Sequence, residues 1–194
     1  MSSRGKLIVI SAPSGGGKST IAHGILARHK DIEFSVSATT RKKRENEVDG
    51  KDYFFLARKD FEERIARGEL VEYEEIYGDY YGSLKSVVDR ALAERRPLLF
   101  DVDVNGALSI KKKYPKDAVL IFIQPPSIEA LRERLLKRNT EDKKTVMKRL
   151  ERVPMELGKG KGFDYKVVND DLPKAISEVD EIVNANNPGV HPDP

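Results

Sequence analysis

The sequence predicts an α/β fold in which a parallel sheet is flanked by helices and carries a small inserted α+β subdomain. Two observations support the sheet: short apolar runs rich in branched residues, and helical patterns that separate them. This alternation is typical of parallel strands joined by crossover helices. A third observation supports the insert, because one middle stretch breaks the alternation with short aromatic strands and turns. The 194 residues suit one domain.

Each predicted strand of the main sheet is a short, nearly continuous apolar run. The first, Lys6–Ser11, reads KLIVIS and is followed by a glycine-rich segment and a helical pattern over 18–29. Runs of this kind predict strands that are buried on both faces. The later predicted strands are Pro97–Asp103, Ala118–Gln124 and the weaker Tyr165–Asn169.

Apolar residues at helical spacing predict two helices after the third strand, and a terminal helix is predicted over 172–184. The residues expected to share an apolar face are Ile128, Leu131 and Leu135 in the helix over 127–138, and Met147, Leu150 and Leu157 in the helix over 145–158.

The insert is expected over about 34–83, with strands at Tyr53–Leu56 and Leu70–Ile76 and a helix at 59–67. The Pro- and Asn-rich end, 185–194, lacks periodicity and is expected to be a disordered tail. Residues 1–184 then form a single domain, with its core at about 5–33, 84–136 and 148–184.

Composition excludes several functional classes. Lys and Arg number 35 against 32 Asp and Glu, and a net charge of +3 is too small to predict non-specific nucleic-acid binding. No apolar run reaches the length of about 18 residues that a membrane span needs. Cysteine is absent, which excludes disulfides, thiolate catalysis and Cys-ligated zinc. We expect a cytoplasmic protein with no membrane, nucleic-acid or obligate protein partner.

The strongest motif follows the first strand and reads SAPSGGGKST. It matches the P-loop G-x-x-x-x-G-K-[ST], except that Ala12 stands at the first glycine. Glycines let backbone N–H groups surround phosphate oxygens, and the lysine reaches the β- and γ-phosphates. The alternative is a flexible turn between strand and helix. The residues expected to bind a nucleoside triphosphate are Ala12, Pro13, Ser14, Gly15, Gly16, Gly17, Lys18, Ser19 and Thr20.

A P-loop that binds Mg²⁺ with its nucleotide needs oxygen donors near the phosphates. Ser19 supplies a hydroxyl in the motif itself, and Asp101 ends the apolar run of the strand Pro97–Asp103. We therefore expect these two residues at the metal. The alternative for Asp101 is a cap of the following helix.

Two basic residues of the insert, Arg41 and Arg44, are three positions apart in the run TTRKKR. Two guanidinium groups at this spacing can bind one phosphate dianion, and the hydroxyls of Tyr53 and Tyr81 can add donors. The alternative is a solvated basic run with no ligand.

The aromatic strand LVEYE places Glu72 among apolar and aromatic residues. A carboxylate can accept hydrogen bonds from N1–H and N2–H₂ of guanine together, and adenine offers no such pair. The alternative is an outward-facing strand glutamate. The nearby sequence GDYYGS, with Tyr81, Gly82 and Ser83, is expected to be a turn that brings a hydroxyl and backbone groups to a ligand; its alternative is a hairpin with Ser83 as a helix cap.

Taken together, SAPSGGGKS, FSVSATTRKKR before GKDYFF, LVEYEEIYGDYYGS, FDVDVNG and VVNDDL resemble the guanylate kinase family over residues 5–184. The resemblance implies an ATP:GMP phosphotransferase that uses Mg²⁺ and forms ADP and GDP, with a helical lid at about 137–147. It implies that Ser37, Glu72, Asp103 and Ser83 lie at GMP, and that Asn169 lies near the adenine of ATP. It further implies catalytic roles for Lys18 and Arg41 and for three lid-side arginines, Arg134, Arg138 and Arg149.

Two other functions stay open beside this one. Inactive domains that resemble guanylate kinases serve as protein-interaction modules, but such modules lack a working P-loop, whereas Lys18 and Ser19 are present here. A different P-loop kinase or nucleotide-dependent switch is the second possibility, and Glu72 with the paired arginines argues against it.

Overall fold

The computed structural model describes residues 6–137 and 143–187 of the chain. Its strands form two separate sheets. In chain order the strands are β1 Leu7–Ser11, β2 Glu33–Phe34, β3 Ser37–Thr39, β4 Phe54–Phe55, β5 Leu70–Ile76, β6 Asp79–Leu84, β7 Leu98–Asp101, β8 Ala118–Gln124 and β9 Tyr165–Val168.

Helices surround the sheets. They are α1 Lys18–Arg28, α2 Arg58–Ala66, α3 Lys85–Glu94, α4 Val104–Lys113, α5 Ile128–Lys137, α6 Lys143–Lys159 and α7 Leu172–Asn186, with a short 3₁₀ turn at Gly160–Gly162. Across the described residues, none of these helices combines the length and the apolar character that crossing a membrane requires.

The main sheet is parallel, with strand order β2-β7-β1-β8-β9. Its central strand β1 is buried along its whole length. Leu7 and Val9 pack into a cluster with Phe100 on one face, whereas Ile8 and Ile10 pack into a cluster on the other. Because side chains alternate along a strand, an apolar run of this kind supplies a core on both sides of the sheet.

The inserted sheet has strand order β4-β3-β6-β5, with β6 antiparallel to both β3 and β5. One of its faces packs against α2, where Phe61 is fully buried beside Ala38 and Leu70. A β-bulge interrupts β5: Leu70 pairs with Leu84, but Glu72 rather than Val71 pairs with Ser83. Because Val71 is the extra residue, Leu70 and Glu72 lie on opposite faces although they are two positions apart. Leu70 joins the α2 cluster, whereas Val71 joins the core of the main sheet.

Most predicted elements are confirmed to within a few residues, and β5 and β8 have the predicted bounds. Within the expected turn GDYYGS, Gly78 lies in the turn of a β5–β6 hairpin and Asp79–Ser83 lie in strand β6, so the hairpin alternative is correct for this segment. Helix α7 continues to Asn186, two residues into the segment for which no regular structure was expected. Residues 188–194 and part of the expected lid at 137–147 lie outside the described residues.

Two apolar residues were assigned to the wrong face. Met147 is 54% exposed and Ile128 is 49% exposed. The buried stripe of α6 instead follows Val146 and Val153, with Leu150 and Leu157 packed beside them. Met147 is one position away from this stripe, and Ile128 is the first residue of α5.

Candidate active site

The P-loop connects β1 to α1 at the carboxyl end of the main sheet. Gly17 precedes α1 with a φ of 94°, a left-handed conformation that favours glycine. Lys18 Nζ lies 2.9 Å from Asp101 Oδ1, at the end of the neighbouring strand β7. The residue that caps α4 is Asp103, so the capping alternative for Asp101 is wrong.

Ala12 is accommodated in the loop at the position where the motif has glycine. Its side chain is 3% exposed, and its Cβ would lie only 2.8 Å from a Cβ built on Gly16. The methyl group of Ala12 thus fills the space beside residue 16. Because no room is left for a second side chain there, residue 16 must be glycine.

A cavity of about 400 Å³ opens beside the P-loop between α5 and the loop that follows β9. Asn169 is buried at its edge and donates through Nδ2 to the Gly16 carbonyl at 2.9 Å. Arg134 lines the same cavity and donates through NH2 to the Asn169 carbonyl at 2.8 Å. Its NH1 atom is buried without a hydrogen-bond partner in the described part of the chain. Both residues expected near ATP therefore lie beside the P-loop.

Helix α6 holds the other side of the P-loop. Arg149 donates through NH1 to Ser14 Oγ at 3.0 Å, and the Ser14 amide donates to Glu156 Oε2 at 3.4 Å. Burial raises the pKa of Glu156, while the charge of Arg152 opposes that shift. Arg149 therefore lies at the P-loop, whereas Arg138 lies outside the described residues.

Ser37, Ser83 and Glu72 form a row across three strands of the inserted sheet. Ser37 of β3 pairs with Ser83 of β6, and Ser83 pairs with Glu72 of β5. The Ser83 hydroxyl donates to Glu72 Oε1 at 2.6 Å. Because Ser83 is buried within β6 and Leu84 precedes α3, the helix-cap alternative for Ser83 is wrong.

Glu72 as a whole residue is only 7% exposed, so the outward-facing alternative is also wrong. Burial raises its pKa to about 7, and the charge of Glu74 adds to this effect. Hydrogen bonds from Ser83 and the charge of Lys113 act in the opposite direction. A carboxyl with this pKa is partly ionised near neutral pH, and any hydrogen-bond donor that compensates its buried charge stabilises the ionised form.

Three of the four residues expected at a phosphate come together at the β3–β4 edge. The Arg41 guanidinium lies 5.3 Å from the centre of the Tyr53 ring, and the Tyr53 and Tyr81 rings meet edge to face at 6.2 Å. Arg41 is also held by Glu47 through two hydrogen bonds, of 2.6 and 3.0 Å. The fourth residue, Arg44, has an exposed side chain, but its amide donates to Glu47 Oε2 at 2.7 Å.

The two predicted guanine-side acids, Glu72 and Asp103, lie against the same glycine of α4. A Cβ built on Gly106 would be 2.6 Å from Glu72 Oε2 and 3.0 Å from Asp103 Oδ1. Asp103 caps α4 by accepting from the Gly106 amide at 2.8 Å. The absence of a side chain at Gly106 therefore allows β5 and α4 to bring both acids together.

Several charged residues at this site were missed in the sequence. Arg152 and Glu156 lie on α6 beside the predicted Arg149, and Glu74 follows Glu72 on the same face of β5. Their spacing was a usable signal, because positions three, four and seven apart share a helix face and alternate residues share a strand face.

The Guanylate kinase family model matches residues 4–186 of the chain. A protein named guanylate kinase from Porphyromonas gingivalis is 49% identical over 176 residues, which is 90% of this chain and 94% of that protein. One from Symbiobacterium thermophilum is 44% identical over 182 residues, covering 94% and 86% respectively. A crystal structure of guanylate kinase from Anaplasma phagocytophilum aligns with a TM-score of 0.80 at 30% identity, covering 97% of this chain and 89% of that one.

Proposed function

This chain belongs to the guanylate kinase family, and we propose that its two sheets divide the substrates of the reaction between them. The enzyme transfers the terminal phosphoryl group of ATP to GMP and forms ADP and GDP. In the proposed arrangement, the P-loop of the main sheet binds ATP and the inserted sheet binds GMP.

The observation that carries the proposal for GMP is the buried Glu72 in its row with Ser83 and Ser37. We assign the guanine base to this row. Its N1–H and N2–H₂ groups donate to the Glu72 carboxylate, while Asp103 lies beside it against Gly106. Adenine offers no such pair of donors, so the Ser83 hydroxyl alone would compensate a buried charge only in part, which is costly.

The GMP phosphate is assigned to Arg41, Tyr53, Tyr81 and Arg44. Tyr53 lies beside both Arg41 and Tyr81, which supports the assignment. The arginines supply charge-assisted hydrogen bonds, and the tyrosines supply hydroxyl donors. The backbone at Gly82, paired with Ala38 in the centre of the inserted sheet, completes the predicted set.

The ATP phosphates are assigned to the P-loop residues 12–20, with Lys18 at the β- and γ-phosphates. The adenine is assigned to the cavity beside Asn169, which has the open volume and the polar edge that a base requires. The buried and unpartnered NH1 of Arg134 at this cavity supports a role at the transferring phosphoryl group.

Catalysis by these residues is positioning and charge compensation. A GMP phosphate oxygen is already ionised near neutral pH, so it attacks the γ-phosphorus without a strong general base. Lys18, Arg134 and Arg149 offset the charge that develops on the transferring group, and Arg41 reduces the repulsion between the two anionic substrates. Arg138 joins the proposed set on the strength of its sequence position alone.

We propose Ser19 and Asp101 as the residues that hold Mg²⁺ with ATP. A hydroxyl at the start of α1 and a carboxylate at the end of β7 are oxygen donors, the ligand type that Mg²⁺ prefers, and Lys18 lies 2.9 Å from Asp101. The bound ion would neutralise phosphate charge. The site residues thus fit a magnesium nucleotide.

Exclusion of water requires movement. We propose that the insert at 34–83 and the lid at 137–147 close over the core when both nucleotides are bound, since an open site would hydrolyse ATP. The expected cytoplasmic location, and the expectation that nucleotides are its ligands without an obligate protein partner, are part of this proposal.

Formation of ADP tests the function directly. The purified protein is incubated with ATP and Mg²⁺ and, in separate reactions, GMP, AMP, CMP or UMP. We expect rapid ADP formation with GMP alone and its loss when the metal is chelated. ADP formation with AMP but not GMP would contradict the role of Glu72, and no reaction with any of the four would contradict the function itself.

A further inference from the structure

Four carboxylates from three elements gather where the inserted sheet meets α4 and α6. Glu72 and Glu74 come from β5, Asp103 precedes α4 and Glu156 lies on α6. Arg152 of α6 lies among them. Its NH2 atom is 2.9 Å from Glu74 Oε1 and 3.6 Å from Asp103 Oδ2, and its Nε atom is 3.8 Å from Glu156 Oε1. One guanidinium group therefore contacts three of the four acids.

These contacts are sheltered from solvent. The exposed fractions of the side chains are 24% for Arg152, 21% for Glu74, 17% for Asp103 and 7% for Glu156. Charges in such surroundings interact more strongly than at an open surface, where ion pairs contribute little. Loss of the arginine charge would therefore be felt by the acids around it.

Glu72 is the acid whose ionisation matters most to base recognition. Asp103 and Glu72 both lie against Gly106, and Glu74 is two residues from Glu72 on β5. The charge of Glu74 disfavours ionisation of Glu72, and the charge of Lys113 favours it. Arg152 pairs with Glu74 and with Asp103, so its charge acts on Glu72 through these two acids. Burial and the charge of Glu74 raise the pKa of Glu72 to about 7.

We propose that Arg152 is a positioning residue of the GMP site, which holds Glu74 and Asp103 in place and offsets their charge so that Glu72 stays ionised toward guanine. The inference rests on the proposed function, because it takes Glu72 to be the residue that binds the base. Arg152 acts through its acidic neighbours, so its effect depends on pH as well as on geometry.

Calorimetric titration with GMP at two pH values tests this inference. Arg152→Gln removes the charge, Arg152→Lys keeps it, and Glu74→Gln with Arg152→Gln removes both charges of the pair. Lys148→Gln is the matched control, because Lys148 is an exposed cation of the same helix. The phosphate of GMP titrates near pH 6 with every variant. Dividing the affinity of a variant by that of wild type at the same pH therefore removes the contribution of the phosphate.

For Arg152→Gln, we expect GMP affinity to fall about five- to tenfold at about pH 6 and less than about twofold at about pH 8.5, where Glu72 is ionised in either protein. Arg152→Lys and the double variant should recover at least half of the loss at the lower pH. Lys148→Gln should match wild type.

Equal losses of GMP affinity at both pH values, or no loss at either, would overturn the proposal. The effect of a merely structural contact would not depend on whether Glu72 is ionised. If Arg152→Gln does not fold, Glu74→Gln alone decides the question. It should strengthen GMP binding at the lower pH, and unchanged binding would count against the inference. Wild-type protein that makes no GDP would overturn the proposed function, whereas active wild type with an unaffected Arg152 variant overturns this inference only.

Discussion

Glu47 binds both terminal nitrogens of Arg41, through hydrogen bonds of 2.6 and 3.0 Å. It also accepts from the Arg44 amide, so one carboxylate connects the two arginines assigned to the GMP phosphate. Arg41 lowers the pKa of the Glu47 carboxyl below its usual value, and the pair therefore stays ionised throughout the neutral range.

This connection predicts that Glu47→Gln weakens GMP binding. The loss of one bidentate ion pair frees the Arg41 side chain, and we expect KM for GMP to rise about tenfold while KM for ATP changes less than about twofold. Steady-state kinetics with each substrate varied in turn measures both values. Glu45→Gln, an exposed acid of the same loop, is the control and should behave as wild type. A lower KM for GMP would show that Glu47 competes with the phosphate instead of orienting its ligand.

Glu72→Gln should separate stability from function. The substitution removes a buried carboxylate, so at pH 8 we expect the free energy of unfolding of the unliganded protein to rise by roughly 1 to 3 kcal/mol. The amide group replaces an acceptor with a donor toward guanine, so kcat/KM for GMP should fall about 100-fold or more. Urea unfolding measures the change in stability, and steady-state kinetics measures the change in kcat/KM. A less stable variant would mean that groups of the protein already compensate the charge of the Glu72 carboxylate when no ligand is bound.

The pH dependence of stability should have the opposite sign to that of GMP binding. The pKa of Glu72 is about 7 in the folded protein against 4.5 ordinarily. Between these values the folded state binds the extra proton, so the free energy of unfolding should fall as pH rises from about 4.5 to 7, by at most about 3 kcal/mol. GMP affinity should rise through the same window. Denaturant titrations from about pH 5 to 8 should show a steeper decline in wild type than in Glu72→Gln; parallel curves would contradict the assignment.

Gly106→Ala should weaken GMP binding without affecting ATP. Its Cβ would lie 2.6 Å from Glu72 Oε2, so the carboxylate or α4 must move. We expect GMP affinity to fall about tenfold, in line with the cost of displacing a residue that orients a substrate. Gly158→Ala is the matched control: Gly158 lies in α6 and an added Cβ meets nothing within 4 Å. That variant should bind GMP normally and gain about 0.5 to 1 kcal/mol of stability. Normal GMP binding in Gly106→Ala would mean that Glu72 does not need this close approach.

Asn169→Ala tests the ATP side. The substitution removes the hydrogen bond to the Gly16 carbonyl and leaves that carbonyl with one fewer donor. We expect KM for ATP to rise about fivefold, the cost of one buried hydrogen bond, with KM for GMP unchanged. A reversed pattern, with GMP affected and ATP spared, would place the base of ATP elsewhere.

The parts of the site that are local in sequence could be predicted, and the parts that depend on packing could not. Strand β1, Gly17 and Lys18 are contiguous, so pattern and motif together defined the P-loop. The burial of Glu72 depends on α4 approaching at Gly106, and alternation along β5 did not decide between an inward and an outward side chain. Arg152 was missed because its partner Glu74 is 78 residues away and each residue alone is an ordinary surface charge.

The β-bulge of β5 makes base selection depend on the pairing register of the strand as well as on side-chain identity. Leu70 and Glu72 serve opposite faces of the inserted sheet only because one extra residue, Val71, is accommodated between them. If the undeleted strand paired regularly, Glu72 would lie opposite Gly82 and turn toward the apolar α2 side. Deletion of Val71 would instead keep Glu72 opposite Ser83 and remove only the Val71 side chain from the core of the main sheet. The register of this strand is thus a constraint on which nucleobase the enzyme accepts.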